Sequence, residues 1–342
     1  MKTADAAEAR SGHPPNHLMI AAAFAAIYII WGSTYLAIKY AIETVPPFFM
    51  TAVRFAIAGG ALYLWSVIRA PRAEPNPVAR PSARLVWRDA FVVGGLLILG
   101  GTALVGWAEL VVPSGITSLI LASNPLWMAL CEGIMARRAP SRRVVAGLLV
   151  GLAGLAILVG PTLLAPGQSA SLLGVGALLL ASLAWTVGAL YSRRAALPSS
   201  PARATGIQMM AGGTLSLVVG VLIGEHRQLS LAAITPTSLL AIGYLIVFGA
   251  LIGFSAYLWL MRVSTPSRVA THAYVNPVVA VLLGWTMLGE TVTVWTALAM
   301  VVIVAAVVLI VSAPAGSADT QRSGAKSGRR FGMRRRLAER AA

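Results

Sequence analysis

The sequence predicts an all-α integral membrane protein in which ten transmembrane helices form two inverted repeats of five helices, with both termini in the cytoplasm. Three observations support this fold: an apolar composition, ten long apolar runs and an internal duplication. Of the 342 residues, 58% are hydrophobic and 11% are charged, and the mean hydropathy is +0.79. Because no class of water-soluble protein has this composition, a soluble enzyme is excluded.

Each of the ten apolar runs is long enough to cross a bilayer as a helix, since a hydrocarbon core of about 30 Å needs about 20 residues. A barrel strand would instead alternate polar and apolar residues over about ten positions. The predicted spans are residues 18–38, 48–68, 90–108, 114–136, 144–163, 171–192, 204–224, 238–261, 269–289 and 294–312.

The positive charges predict the orientation of the chain. Of the 27 Lys and Arg residues, 24 lie in connections on one side of the predicted membrane, and only Lys39 and Arg227 lie on the other side. Basic segments stay in the cytoplasm, which places the N-terminal segment 1–17, the loop 69–89 and the tail 313–342 there. The tail reads as disordered, and anionic lipid head groups rather than nucleic acid are its expected partners.

The chain contains one five-helix unit twice, in residues 18–163 and 171–312. The matched pairs are Gly101 with Gly253, Trp107 with Trp259, Asn124 with Asn276 and Pro125 with Pro277 at a shift of 152 residues, and Trp31 with Trp185 and Arg54 with Gln208 at a shift of 154 residues. Because five is odd, the second unit must enter the membrane from the opposite side. A cleaved signal peptide is the alternative for residues 18–38, but the duplication counts against it, since the first unit needs that helix.

Short motifs in both units resemble the EamA family of the drug/metabolite transporter superfamily. The motifs are Trp31-Gly32-Ser33-Thr34, Pro46-Pro47, Arg54-Phe55, the two Asn-Pro pairs and Gly289-Glu290, and the resemblance covers about residues 18–312. It implies a secondary exporter of small metabolites, amino acids or drugs. Inverted repeats can exchange shapes, so that a cavity between them opens to each side in turn. Arg137-Arg138 replaces Gly-Glu in the first unit, so any role of Glu290 belongs to one half only.

Polar and aromatic side chains inside the apolar runs are the candidates for a solute site. The residues predicted to contact a solute are Trp31, Thr34, Trp107, Asn124, Met128, Trp185, Tyr257, Trp259, His272 and Asn276. The duplicated pair Trp107 and Trp259 is the leading aromatic candidate, although Trp and Tyr also favour the membrane interface. Pro125 and Pro277 are expected to break their helices and open a cavity, because proline removes a backbone donor. A kink that serves packing alone is the alternative.

Two ionisable residues lie inside predicted spans, where a charge is costly. Glu132 is predicted either to couple protons or bind a solute amine, or else to pair with Arg137 and Arg138 near the cytoplasmic boundary. Arg54 is predicted either to extend towards the head groups or to pair with a carboxylate in the cavity. His272 is read either as a titrating group or as a neutral, hydrogen-bonded side chain.

The sequence carries no motif for a nucleotide, a metal ion or a catalytic serine, so no cofactor, metal or ATP-driven step is predicted. Cys131 is the only cysteine, which excludes an internal disulfide. Two alternatives to a carrier remain: a membrane-embedded enzyme acting on a lipid-linked substrate, and a facilitated-diffusion pore. The solute, proton coupling and the oligomeric state are left open, a homodimer among the options.

Overall fold

A computed structural model describes residues 17–69, 82–112, 117, 120–137, 139–163, 171–288 and 293–313. The predicted segment 1–17, most of the predicted loop 69–89 before residue 82, and the predicted tail 313–342 fall almost entirely outside these described residues. All the regular structure within the described residues is helical. An all-α chain is therefore confirmed for this part of the molecule.

Ten long helical segments follow one another in the described residues, and each coincides with one predicted span. They are α1 (His17–Ile42), α2 (Pro47–Ile68), α3 (Ala83–Ala108), α4 (Asn124–Ala136), α5 (Arg142–Leu163), α6 (Leu172–Ser192), α7 (Pro201–Leu222), α8 (Pro236–Val263), α9 (His272–Leu288) and α10 (Val294–Val311). A four-residue helix, Pro266–Val269, precedes α9, and two short 3₁₀ turns, Glu225–Arg227 and Leu231–Ala233, lie between α7 and α8.

Seven of these helices are long and apolar enough to cross a membrane, namely α1, α2, α3, α6, α7, α8 and α10. The described part of α4 has 13 residues and α9 has 17, which is less than the about 20 that a full crossing needs. The chain is therefore a multi-pass membrane protein, while ten crossings and cytoplasmic termini remain predictions.

Proline and hydroxyl side chains set where several helices begin. Pro47 and Pro201 occupy the first turns of α2 and α7, where a missing N–H costs nothing. Ser171 and Thr235 cap α6 and α8 by accepting hydrogen bonds from the backbone N–H groups of Gly174 and Ser238. These caps match the predicted boundaries closely.

One predicted boundary is wrong. Helix α3 begins at Ala83 rather than at residue 90, because Ser82 caps it and the buried Asp89 is paired inside the fold. The Asp89 carboxylate accepts hydrogen bonds from the hydroxyl of Tyr191 (2.8 Å) and the N–H of Ala196 (2.6 Å). The predicted span 114–136 is interrupted: residues 117 and 120–121 are helical, a turn follows at residues 122–123, and α4 begins at Asn124, while residue 114 lies outside the described residues.

The two halves pack through equivalent helices, α2 against α7 and α5 against α10. Gly59 of α2 lies so close to α7 that a methyl group on it would be 2.8 Å from the carbonyl oxygen of Gly206. A methyl group on Gly213 of α7 would be 3.1 Å from the carbonyl oxygen of Ala52. At the shift of 154 residues, Gly59 corresponds to Gly213 and Ala52 to Gly206. The two contacts are therefore equivalent, and exchanging the halves converts one into the other. Small residues permit this close approach of two membrane helices.

The third helix of each half carries the same distortion. Residues Gly95–Ala103 of α3 and Leu245–Phe254 of α8 have the wider hydrogen bonding of a π-helix. The shift of 152 residues places the first range on residues 247–255, which overlap almost completely with the second range. Such stretches are rare and occur mostly at functional sites. The shared distortion confirms that the two halves are repeats and marks the helices that border the central pocket.

Glu225 ties the end of α7 to the start of α2. Its carboxylate is 4% exposed and accepts hydrogen bonds from the backbone N–H groups of Phe48 (3.2 Å) and Phe49 (3.1 Å). These N–H groups belong to the first turn of α2, where a negative charge is favourable. The carboxylate therefore holds the two halves together at one end of the helix pair.

Candidate functional site

A pocket of about 130 Å³ lies between the two halves, and residues of both halves line it. Seven of the residues singled out from the sequence are in its lining: Trp31, Thr34, Arg54, Asn124, Trp185, His272 and Asn276. They come from α1, α2 and α4 of the first half and from α6 and α9 of the second. The structure thus gathers side chains that are separated by up to 245 positions in the chain.

Trp31 and Trp185 form the floor of the pocket. Their ring centroids are 5.5 Å apart and the rings meet edge to face, a favourable arrangement of aromatic pairs. The two residues are equivalent under the shift of 154. Equivalent residues that touch one another must flank the axis that relates the two halves, so the floor lies on that axis.

Two equivalent glycines make room for these tryptophans in a crosswise manner. Gly253 of the second half faces Trp31 of the first, and a methyl group on it would lie 2.5 Å from the indole Nε1. Gly101 of the first half faces Trp185 of the second, and a methyl group there would lie 2.7 Å from the ring atom Cε3. Both glycines belong to the π-helical stretches. Each half therefore supplies one tryptophan and the space for the tryptophan of the other half.

Hydrogen bonds hold both indole rings in place. Trp31 Nε1 donates to the carbonyl oxygen of Gly249 (3.2 Å), and Trp185 Nε1 donates to the hydroxyl of Tyr257 (2.8 Å). Tyr257 is completely buried behind the floor. The His272 ring stands edge-on to Trp31, with 4.9 Å between the centroids. The floor is thus a rigid aromatic cluster with few free rotations.

Asn124 and Asn276 lie on the pocket wall and leave the same atom unpaired. Asn124 Nδ2 donates to the carbonyl oxygen of Ser182 (3.3 Å) and the hydroxyl of Thr186 (3.4 Å), while Asn276 Nδ2 lies 3.4 Å from His272 Nδ1. In the described part of the chain the Oδ1 atoms of both asparagines have no hydrogen-bond partner, although the residues are only 5% and 3% exposed. Buried acceptors without a partner are uncommon in folded proteins and point to a functional site.

Arg54 is the only permanently charged residue that the described part of the chain contributes to the pocket lining. It is 4% exposed, its guanidinium carbon lies 4.8 Å from the ring centroid of Phe55, and a methyl group on Gly249 would be 2.6 Å from its Nη2. Within the described residues no group accepts a hydrogen bond from it, and its Nε is buried without a partner. The side chain therefore neither extends to the head groups nor pairs with a protein carboxylate in this part of the chain.

Glu132 lies outside the pocket lining. Its Oε2 accepts a hydrogen bond from the hydroxyl of Ser267 (3.0 Å), in the short helix before α9. It makes no ion pair with Arg137, and Arg138 lies outside the described residues. Glu132 thus joins α4 of the first half to the short helix before α9 of the second half, outside the pocket lining.

The lining does not include Trp107, Met128, Tyr257, Trp259, Pro125 or Pro277. Trp107 follows the lining residue Val105 by two positions, which turns it by about 200° around a helix. Met128 is buried in the core, with no exposed surface. The predicted break at Pro277 is wrong, because α9 runs through it; the helix is interrupted earlier, at residues 270–271. Pro125 lies in the first turn of α4, where proline is compatible with a helix.

Sequence reasoning missed the smaller residues of the lining. These are Ile38, Phe55, Thr102, Val105, Leu121, Ala181, Ser182, Phe254 and Ala273. For some of them a signal was present: Thr102 and Phe254 are adjacent to the duplicated glycines, and Ser182 precedes Trp185 by one helical turn. The remaining residues are ordinary apolar residues of a membrane helix and cannot be distinguished by residue type.

Comparison with known proteins agrees with the duplicated organisation. Residues 18–160 and 172–312 each match the EamA-like transporter family. The chain is 36% identical to "Uncharacterized inner membrane transporter YedA" of Escherichia coli (strain K12) over 286 residues, which is 83% of this chain and 88% of that protein. It is 24% identical to "Probable amino-acid metabolite efflux pump" of Salmonella typhimurium, over 78% of this chain and 86% of that one.

A solved crystal structure has the same fold. It matches with a TM-score of 0.68 and 22% sequence identity, and the match covers 85% of this chain and 95% of the solved one. At this level of identity the likeness concerns the fold alone. The arrangement of helices around the pocket therefore has an experimental counterpart.

Proposed function

The chain belongs to the EamA-like transporter family, and on that premise we propose that it is a secondary exporter of the cell membrane. It moves small metabolites, amino acids or amphiphilic drugs by alternating access through the central pocket between the two repeats. The termini lie in the cytoplasm, the basic segments contact anionic lipid head groups, and a homodimer is compatible with the exposed helix faces. Efflux as the direction is supported by the name of the Salmonella relative.

The crosswise contact of Trp31 with Gly253 and of Trp185 with Gly101 carries this proposal. An aromatic floor on the axis between the halves is the same contact in both states, so the two halves can tilt about it and exchange their conformations. Two halves of similar shape and opposite orientation exchange conformations in this way. A static channel has no need for such a paired closure.

The polar atoms around the pocket support a solute-binding role. Within the described residues, the Oδ1 atoms of Asn124 and Asn276 and the Nε of Arg54 are buried without hydrogen-bond partners. Each unpaired buried group destabilises the empty protein by about 1 to 3 kcal/mol. A bound solute that supplies partners would offset these penalties, which makes the pocket a binding site rather than a packing defect.

A membrane-embedded enzyme is less well supported. Catalysis would need an acid or base and a second group converging on one substrate. Glu132 lies away from the pocket, so it cannot act together with His272 and Arg54 on a bound substrate. The family and the names of the relatives also indicate a transporter.

Counterflow in proteoliposomes tests the proposed function. The purified chain is reconstituted in vesicles loaded with an unlabelled solute, and uptake of the same solute in labelled form is measured for a panel of amino acids and amphiphilic cations. A carrier gives uptake that saturates and is accelerated by solute on the opposite side. Linear uptake without exchange would indicate a pore, and chemical conversion of the solute would indicate an enzyme; either would refute the proposal. Protein-free vesicles are the control.

A further inference from the structure

We propose that Arg54 selects the solute and that the solute carries a carboxylate group, which binds the guanidinium directly. This inference rests on the proposed function, because it concerns the solute of the same pocket. Its basis is a charge without a partner. Among the described residues, the lining includes one arginine and no aspartate or glutamate.

A buried guanidinium without a counter-ion is costly to a fold. An arginine keeps its charge at any physiological pH, and an uncompensated charge away from water is strongly destabilising. Arg54 is 4% exposed and has no acceptor for its N–H groups among the described residues. A ligand that brings the missing anion explains why this position holds an arginine.

The second half shows that the fold itself does not require the charge. Gln208 occupies the position equivalent to Arg54, on the partner helix α7, and is 1% exposed. Its neutral amide is accommodated there, at the same helix–helix contact. The charge is therefore present in only one half, the half whose side chain lines the pocket.

The geometry of the side chain suits a carboxylate. A guanidinium presents parallel N–H groups that match the two oxygens of a carboxylate. The aromatic residues Trp31, Trp185 and Phe254 provide an apolar wall for the rest of the molecule. The pocket of about 130 Å³ is comparable in volume with a cavity of about 150 Å³ that binds benzene, which limits the solute to about one ring. Cationic solutes are disfavoured, because they would meet a like charge.

Three small aromatic probes separate charge from shape. Phenylacetate is anionic, phenylacetamide has the same size without the charge, and phenethylamine is cationic. We expect the full chain in lipid nanodiscs to bind phenylacetate about tenfold or more tightly than phenylacetamide, as two charge-assisted hydrogen bonds would give, and to bind phenethylamine more weakly still. Isothermal titration calorimetry measures the three dissociation constants.

Substitution of Arg54 assigns the effect to this residue. We expect Arg54→Gln to weaken phenylacetate binding about tenfold and to change phenylacetamide binding by less than about threefold, while Arg54→Lys retains part of the preference for the anion. Arg69→Gln is the matched control, since Arg69 is an exposed arginine at the other end of the same helix. A comparison of the probes on the unsubstituted chain needs no variant, so the test stands even if Arg54→Gln does not fold.

Equal affinity for phenylacetate and phenylacetamide would overturn the carboxylate assignment, as would an unchanged preference in Arg54→Gln. Counterflow measurements distinguish this failure from failure of the proposed function. Saturable exchange of neutral or cationic solutes, with no preference for anions, would leave the exporter intact and reject the role of Arg54. Tight, Arg54-dependent binding of phenylacetate without any transport would support the role and reject the exporter.

Discussion

Gly253→Ala tests whether the crosswise contact at the pocket floor is structurally specific. The added methyl group would lie 2.5 Å from Trp31 Nε1 and 3.0 Å from Cδ1. Carbon atoms in contact are normally about 3.5 to 4.0 Å from their neighbours, so the indole ring must move by about 1 Å. This movement disrupts the hydrogen bond from Trp31 Nε1 to the carbonyl oxygen of Gly249, which is 3.2 Å long.

The expected loss of stability follows from three contributions. Overpacking of a filled core destabilises by about 1 to 3 kcal/mol, and loss of one buried hydrogen bond adds about 1 kcal/mol. The gain in helix propensity from Gly to Ala offsets about 1 kcal/mol. A net loss of about 1 to 3 kcal/mol in the free energy of unfolding is therefore expected.

A matched pair of variants isolates the contact. Gly243→Ala lies on the same helix, where nothing approaches the added methyl group within 4 Å, so it should stabilise by about 0.5 to 1 kcal/mol through propensity alone. Gly101→Ala should behave like Gly253→Ala, because its methyl group would be 2.7 Å from the ring of Trp185. Thermal unfolding of the purified variants in nanodiscs, followed by tryptophan fluorescence, measures all three midpoints.

Equal thermal midpoints for Gly253→Ala and Gly243→Ala would refute the close contact between Gly253 and the indole ring of Trp31. A loss of stability in Gly253→Ala alone, with Gly101→Ala as stable as the unsubstituted chain, would refute the equivalence of the two halves at the floor. Binding of a ring-bearing probe such as phenylacetamide should weaken in Gly253→Ala and Gly101→Ala and remain unchanged in Gly243→Ala. Only the first two variants displace the tryptophans that form the floor of the pocket.

Three further outcomes are expected. Arg54→Gln should raise the thermal midpoint, because removal of an unpaired buried charge stabilises the fold by about 3 kcal/mol. Loss of the contact to Phe55 and of one methylene group offsets about 2 kcal/mol of this gain. A lower midpoint would indicate a partner for Arg54. Burial raises the pKa of Glu225 despite its hydrogen bonds from Phe48 and Phe49, so its contribution to stability is greatest at low pH and is lost as the pH rises through that pKa. Glu225→Gln should remove this component from the dependence of the thermal midpoint on pH. An identical pH profile for the variant and the unsubstituted chain would contradict this reasoning. Asn276→Leu should stabilise the empty chain, since it removes an Oδ1 atom that is unpaired among the described residues and loses only the long contact, 3.4 Å, from Nδ2 to His272 Nδ1; a lower thermal midpoint would contradict this balance.

The duplicated pattern predicted the location of the pocket well. Trp31 and Trp185 were identified as an equivalent pair from spacing alone, and the structure brings them into contact at the floor. Asn124 and Asn276 were identified in the same way and both line the pocket. Equivalent residues at mirrored depths must meet near the axis between the halves, so a repeat in a sequence carries three-dimensional information that a single motif lacks.

The same pattern misled for Trp107 and Trp259, and the cause is physical. Both residues follow the π-helical stretches Gly95–Ala103 and Leu245–Phe254. Each π-helical turn changes the face that later residues present, so a reading based on 3.6 residues per turn assigns the wrong side. The hydrogen bonding of these stretches depends on tertiary contacts, such as that between Gly101 and Trp185, which composition and spacing do not reveal.

On the proposed mechanism, the two kinds of residue in the pocket have different reasons to exist. A floor on the axis between the halves has to fit both states, so it is built from equivalent residues of both halves, as Trp31 with Trp185 and Gly101 with Gly253 are. A group that recognises the solute is needed only once, because the solute is the same in both states. Arg54, whose counterpart is Gln208, fits the second requirement and not the first. Symmetry in the sequence thus points to the parts that move, and its local failure points to the residue that recognises the solute.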